Sequence, residues 1–159
     1  EPSRSDPVGA RLSAYQTARA FAVGKAREVA SRRPQDAVLG SDTVVSLDGD
    51  ILGKPKDAAD ARRMLRRLSG RTHTVFTGVC LISGGKELVD VAHADVTFED
   101  LTDEVIAAYV ATGKPMDKAG AYGIQDGFPL VRSYEGSFSC IMGLPLERLA
   151  GMLREAGII

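Results

Sequence analysis

The sequence predicts an α/β fold, a mixed twisted sheet flanked by helices, and three observations carry that expectation. Runs rich in β-branched residues repeat with a period of two, other runs place apolar residues at steps of three and four, and the two kinds follow one another in the order α-β-α-β-β-α-loop-α. At 159 residues the chain reads as one domain spanning 1–159.

Residues 8–33 contain no proline and space Leu12, Tyr15, Ala18, Ala22, Ala26 and Val29 along one helical stripe, which Pro34 ends. Ala37-Val38-Leu39 and Thr43-Val44-Val45 read as strand residues around a polar interruption, Gly40-Ser41-Asp42, and Asp48-Gly49-Asp50 is a tight-turn signal leading into Ile51-Leu52. Asp57 can cap a second helix that buries Ala61, Met64, Leu65 and Leu68, with Asp57 and Asp60 near its positive end and Arg66 and Arg67 near its negative end. Gly70 stops it. Residues 72–83 and 88–98 form a hairpin around Gly84-Gly85, and a slip in the alternation near Ala92 reads as a bulge. Leu101-Thr102-Asp103 opens a helix carrying Val105, Ile106, Tyr109 and Val110 and ending at Gly113. Residues 114–144 read as a long irregular segment, and a last helix runs from 145 to about 156 with Pro145 in its first turn.

Composition narrows the function. Hydrophobic residues make up 44% and charged residues 26%, and no run of about 18 apolar residues occurs, so neither disorder nor a helical membrane span is supported. The net charge of −1 removes the broad attraction on which non-specific nucleic-acid or anionic-membrane binding depends, and neither partner is expected. A local basic pocket for a small anion is compatible with it. Cys80 and Cys140 stand far apart with no CxxC pairing, which argues against a zinc site or a disulfide scaffold and for a reducing cytoplasm. The opening Glu1-Pro2-Ser3-Arg4-Ser5-Asp6-Pro7 has no Met, basic region or apolar region, so a segment upstream is expected.

Three segments carry more chemistry than a fold needs. Asp42 sits between strand-forming runs, where an unpaired carboxylate would cost several kcal/mol of desolvation, so it needs a cation, a metal or water unless it is a turn residue bonding its own backbone. Gly53-Lys54-Pro55-Lys56 puts a lysine suited to a phosphate on a stiffened loop, although the full P-loop spacing is absent. Residues 117–127, Asp117-Lys118-Ala119-Gly120-Ala121-Tyr122-Gly123-Ile124-Gln125-Asp126-Gly127, surround an amide side chain with glycines, which suits closure around a flat ligand or simply a structural loop. His73 and His93 lack metal-ligand spacing and read as surface or hydrogen-bonding residues. Arg62, Arg63, Arg66 and Arg67 read as a solvated helix face, and Cys80 as core.

Taken in order, GSDTVV, ILGKPKDAADARRMLRRLSGRTHTVFTGVCL, DKAGAYGIQ and MGLPLERL resemble the Maf family of nucleoside triphosphate pyrophosphatases, a relative of the inosine triphosphate pyrophosphatase fold. The resemblance runs from about Leu12 to the C-terminus. It implies a nucleotide cleft and hydrolysis between the α- and β-phosphates, releasing a monophosphate and pyrophosphate with a divalent metal, Mg or Mn. It further implies that Asp42 is the catalytic acid, accepting a proton from water or holding the metal, that Lys54 contacts phosphate, and that Lys118 supplies a second phosphate contact. Thr43 after the acid with Gln125 in the later loop resembles the branch acting on dTTP and UTP, whereas the branch acting on 7-methyl-GTP usually has Gln and Glu there. The family often forms homodimers, and some members are linked to control of septum formation, so a nucleotide-binding regulator without turnover is the alternative. Two departures stand out: no SxSPRR segment is present, and Asp126 occupies a position that is usually Gly.

Overall fold

The computed structural model describes residues 7–141 and 145–158. Helix α1 (Pro7–Arg32) leads into β1 (Val38–Leu47), which turns back into the short β2 (Asp50–Leu52). Helix α2 (Ala58–Leu68) precedes the long hairpin β3 (Thr72–Ser83) and β4 (Lys86–Phe98). After α3 (Asp103–Ala111) come 3-10 turns at Lys114–Asp117, Ala119–Ala121 and Ile124–Asp126, then β5 (Val131–Gly136), α4 (Phe138–Ile141) and α5 (Leu146–Glu155). The five strands form one sheet in the order β2-β1-β3-β4-β5.

The α/β expectation holds, but every pairing among the described residues is antiparallel where a mixed sheet was expected. Connectivity explains it. Two pairs are direct hairpins, the connection through α3 reverses the chain between β4 and β5, and the one through α2 keeps the sense of β2 but sets β3 against β1 and not against β2. Parallel pairing needs a longer crossover that leaves the strand direction unchanged. The first hairpin turns on Asp48 and Gly49, whose φ of 50° and 87° are the left-handed pair that a two-residue turn requires.

Gly40-Ser41-Asp42 does not interrupt β1. These residues pair with Cys80, Val79 and Gly78 of β3 in an unbroken ladder, so tertiary pairing overrides their weak strand preference. The bulge expected near Ala92 is also absent, because β3 and β4 stay in register from Thr72↔Thr97 to Ser83↔Lys86. The alternation slips because both faces of β4 are covered. Val91 packs with Val44, Phe76, Ala14 and Ala18 under α1, while Ala92, Ala94 and Val96 belong to the core on the opposite face. Strand β5 lies inside the segment expected to be irregular. Its side chains are mostly exposed and give no alternation to read, and β4 holds it through backbone pairing.

Among the described residues one face of the sheet carries α1 alone. Ala14, Ala18, Ala22 and Ala26 are fully buried at steps of four, whereas Tyr15 and Val29, expected in the stripe, are 40% and 37% exposed. The side chain of Leu12 lies outside the described residues. The stripe is alanine because the helix nearly touches the sheet backbone. A Cβ added at Gly78 would lie 2.5 Å from the Ala18 carbonyl oxygen, and one at Gly40 would lie 2.7 Å from that of Ala22.

The opposite face holds the larger core, where Leu65 and Leu68 of α2 and Ile106 and Tyr109 of α3 meet Val45, Val75, Val96 and Phe98. Asp57 caps α2 as expected, its carboxylate accepting the Asp60 N–H at 2.7 Å. The α2 arginines do more than face solvent. Arg67 pairs with Asp50 at 2.9 Å and Arg66 with Asp103 and the Leu101 carbonyl, so two of them tie the helix to its surroundings, while Arg63 pairs with Asp60 inside the helix. Among the described residues no helix is long and apolar enough to cross a membrane.

The tight α1 contact sets an expected outcome for two similar substitutions. Gly78→Ala should lower unfolding free energy by about 1–3 kcal/mol, the scale of overpacking. Gly24→Ala, on the exposed side of the same helix with nothing within 4 Å, should raise it by about 0.5–1 kcal/mol. Urea titrations of the two variants check the pair, and equal stability would show that α1 yields freely at Gly78.

Candidate active site

Among the described residues strand β2 pairs with Val45, Ser46 and Leu47 and no further, so β1 is left open there beside Ser41, Asp42, Thr43 and Val44. A cavity of about 590 Å³ lies at that edge. Phe21 and Lys25 of α1 line one side, Gly53 and Lys54 following β2 another, and Asp117, Lys118 and Gly123 a third. Four of the five residues singled out from sequence, Asp42, Thr43, Lys54 and Lys118, therefore meet in one pocket. The fifth, Gln125, lies in the 3-10 turn Ile124–Asp126 two residues beyond the lining Gly123, and its side chain falls outside the described residues.

Asp42 is a strand residue and not a turn residue bonding its own backbone. It lies opposite Gly78, and its side chain is 19% exposed. Its Oδ1 accepts a hydrogen bond from the Lys25 ammonium at 2.6 Å, and the same ammonium reaches the Ser41 carbonyl at 3.3 Å. Thr43 points from the same strand to the other face, where its hydroxyl and that of Thr77 lie 2.8 Å apart and Thr77 donates to the Cys140 carbonyl. That pairing fixes the Thr43 rotamer on the pocket wall. Lys54 is exposed and pairs with nothing among the described residues, which leaves its ammonium to a ligand. Lys118 is held: its ammonium donates to Asp126 Oδ2 at 2.7 Å.

The Gly53 carbonyl accepts the Gly120 N–H at 3.0 Å, which joins the lysine loop to the glycine-rich loop. Gly120 has a φ of 70°, and an added Cβ would lie 2.9 Å from a Val45 methyl, so a side chain there is opposed by both conformation and space. The three chemistry-bearing segments are thus in direct contact through Val45, Gly120 and Gly53.

Beneath the pocket, the lining residue Tyr122 donates to or accepts from His73 Nε2 at 2.7 Å, and both rings stand edge-on to Phe98. His73 is a buried hydrogen-bonding residue as read from sequence, and its Nδ1 has no partner among the described residues. Burial drives its imidazole down to about 4, offset only in part by the Asp95 carboxylate.

Lys25 was not singled out from sequence. It follows the buried Ala22 by three residues and so borders the alanine stripe, but a lysine at the edge of an amphipathic helix ordinarily reads as solvated. Only the proximity of α1 to β1 gives it a carboxylate partner. Phe21 was missed for the same reason; its ring lines the pocket while 57% exposed.

A sheet-edge cleft lined by three lysines and two carboxylates defines an α/β protein built to receive a small anion. The chain belongs to the Maf family: the profile described as "Maf-like protein" matches residues 2–156. It is 49% identical over 145 residues, covering 91% of this chain and 75% of the relative, to a protein of Koribacter versatilis named dTTP/UTP pyrophosphatase. Proteins of the same name from Bacillus cytotoxicus and Thermococcus gammatolerans are 45% and 52% identical, covering 94% and 84% of this chain and 79% and 71% of themselves.

The pocket's donor set fits a hard divalent cation that arrives with its ligand. Among the described residues no cluster of three or more His, Cys, Asp or Glu could hold a metal by itself. Mg²⁺ characteristically binds through one or two carboxylates plus substrate phosphates, and Asp42 and Asp117 supply carboxylates of that kind on the pocket wall.

His73 makes folding depend on pH in a stated direction. The unfolded histidine titrates near 6.5 and the folded one near 4, so the unfolded chain binds more protons between those values. The stability contributed is complete above about pH 6.5 and is lost as pH falls toward 4, by on the order of 3 kcal/mol. His73→Gln, which keeps a hydrogen-bonding group beside Tyr122 and does not titrate, should show a flatter fall in Tm between pH 7 and pH 5 than the wild type. Parallel Tm profiles would remove His73 as the source.

Proposed function

We propose that the protein hydrolyses nucleoside triphosphates at the α–β anhydride, releasing a nucleoside monophosphate and pyrophosphate, with dTTP and UTP as its leading substrates. The observation that carries the reading is the convergence of Asp42, Thr43, Lys54 and Lys118, drawn from distant parts of the chain, on one cavity. The names of the relatives support the substrate class. They also disfavour a nucleotide-binding regulator without turnover, since what those proteins are named for is an activity.

Water adds across the anhydride: its oxygen bonds to phosphorus, the bridging P–O bond breaks, and pyrophosphate leaves. Asp42 takes the proton of the attacking water or holds the cation, and either role needs its ionised form. Lys25, already bonded to Oδ1, orients the carboxylate and leaves Oδ2 without a partner among the described residues. Lys54 and Lys118 supply positive charge to the phosphates, because transfer at phosphorus is promoted mainly by positioning and by neutralising developing charge. A bound Mg²⁺ or Mn²⁺, held by Asp42 and the phosphates, would polarise the anhydride. Thr43 and Gln125 read the base. A neutral amide matches the carbonyl and ring N–H that uracil and thymine share, and a carboxylate would better suit a cationic methylated guanine. The same reading takes residues 1–159 as one domain working on free nucleotides in the cytoplasm, with a homodimer as the expected assembly.

Asp42→Asn should lower turnover of dTTP by at least about a hundredfold, the scale of a lost general base. Lys54→Ala should act chiefly on triphosphate binding and raise KM. Wild-type pyrophosphate release from the first variant would remove Asp42 from the chemistry.

The substrate assignment is checked by pyrophosphate release from dTTP, UTP, CTP, GTP and 7-methyl-GTP with magnesium. We expect dTTP and UTP to lead, with CTP weaker by an unpaired donor or acceptor, about 1–3 kcal/mol. Thr43→Gln combined with Gln125→Glu should move preference toward 7-methyl-GTP. A wild-type preference for 7-methyl-GTP would overturn the pyrimidine assignment and leave the reaction standing.

A further inference from the structure

The three lysines at the pocket are restrained very differently. Lys54 has no partner among the described residues, Lys25 shares Asp42 while remaining 56% exposed, and Lys118 is paired with a carboxylate that is itself only 9% exposed. That carboxylate belongs to Asp126, which lies outside the pocket lining and has no part in the chemistry above.

Asp126 closes a ring of hydrogen bonds. Its Oδ2 accepts from the Lys118 ammonium at 2.7 Å and from the Tyr109 hydroxyl at 2.6 Å. The Tyr109 oxygen in turn accepts the Gly123 N–H at 2.8 Å, and the Asp126 N–H returns to the Gly123 carbonyl at 3.1 Å. Tyr109 is fully buried in α3 with Phe128 against its ring, so the ring of bonds is anchored in the core. It also leaves no room at Gly123, where an added Cβ would lie 3.0 Å from both Asp126 Oδ2 and Lys118 Nζ. Burial by itself would raise the Asp126 carboxyl, yet the Lys118 and Tyr109 hydrogen bonds hold it below the usual carboxylate range. It is therefore an anion at neutral pH.

We propose that Asp126 is a positioning residue of this pocket: its carboxylate holds the Lys118 ammonium against the wall and pins the turn carrying Gln125 to α3, so that both meet the triphosphate ready-placed. The proposal rests on the function proposed above. Two effects of Asp126 oppose each other, since it orders a flexible lysine but also offsets its positive charge. Ordering wins here because an ammonium has three N–H donors and Asp126 uses one, while the second restraint, on the Gln125 turn, has no electrostatic penalty. Preorganisation of this kind appears in binding, as the ligand no longer has to order the groups it meets.

The test compares the wild type with Asp126→Gly, Asp126→Asn and Tyr109→Phe. In Asp126→Gly, KM for dTTP should rise about tenfold with kcat within about threefold, and in Asp126→Asn, which still accepts both hydrogen bonds, KM should stay within about threefold of wild type. Tyr109→Phe should fall between them. A second readout needs no turnover: acylation of Lys118 by an amine-reactive reagent, followed by peptide mass spectrometry, should be several-fold faster in Asp126→Gly than in wild type, with Lys54 labelling unchanged. Unchanged Lys118 labelling, or a KM that falls when the carboxylate is removed, overturns the proposal, and so does an equal loss of kcat in all three variants. If the wild type released no pyrophosphate the proposed function would fail instead, and labelling together with dTTP binding by equilibrium dialysis would still decide the role of Asp126.

Discussion

Strand β1 can carry this pocket only because other backbone comes unusually close to it on both faces. On one face Gly40 and Gly78 present no Cβ, and the alanines of α1 settle against them with carbonyl oxygens where side chains would otherwise stand. On the other face Gly120 rests on Val45, again where a Cβ would intrude. An ordinary helix–sheet separation would move Lys25 away from Asp42, and a bulkier residue at 120 would move the Lys118 loop away from Lys54. Close packing of protein interiors makes such contacts all or nothing, since neither a helix backbone nor a strand backbone can yield by a single methyl without displacing its other contacts.

Electrostatics then separates roles among groups that look alike in sequence. An ion pair with solvent on one side is worth about 0–1 kcal/mol, so the exposed Lys25 ammonium holds Asp42 in orientation without holding it against a competing cation. The Lys118–Asp126 pair is more buried on both sides and is reinforced by Tyr109, so it persists as a structural element. Lys54, with no partner among the described residues, is the group a phosphate can recruit without breaking a bond seen there. One pocket thus offers an exchangeable carboxylate, a fixed cation and a free cation.

Much of this was legible in the sequence, and the parts that were not share a cause. Asp57 as a cap, the Asp48-Gly49 turn and the long hairpin are local signals, and local physics decides them. Asp42 and Lys54 were identifiable because a carboxylate in a strand run and a lysine beside a glycine are anomalies that the neighbouring residues do not account for, whereas Lys118 was marked only by the family resemblance. Lys25, Phe21 and the His73–Tyr122 pair were not, because each acquires its meaning from a residue at least 16 positions away. The continuity of β1 through Gly40-Ser41-Asp42 was hidden for the same reason: its stabilising partner is β3, and its covering layer is α1. The antiparallel sense of the whole sheet is likewise a property of how connections return and not of any strand's composition.

The glycine-rich loop shows where the fold accepts unfavourable local states. Ala121 is fully buried with a φ of 65°, a conformation that ordinarily costs an alanine about 1–2 kcal/mol and that nothing in its own side chain repays. Next to it Tyr122 engages His73, whose Nδ1 stays buried without a partner among the described residues, a further penalty of about 1–3 kcal/mol. Beside both lies Gly120, held to Gly53 and pressed on Val45. These features adjoin one another behind the wall of the pocket that Tyr122 lines. Elsewhere among the described residues α2 and α3 are capped by Asp57 and Thr102 and the strands are paired. Strain concentrated at one wall persists only where the surrounding structure over-determines it, and here the restraints are the Asp126 ring, the Thr43–Thr77–Cys140 hydrogen bonds and the three edge-on aromatic rings. A loop forced into shape from three sides cannot relax to suit whatever enters, so the ligand must match it, which is the physical condition for discriminating one flat base from another.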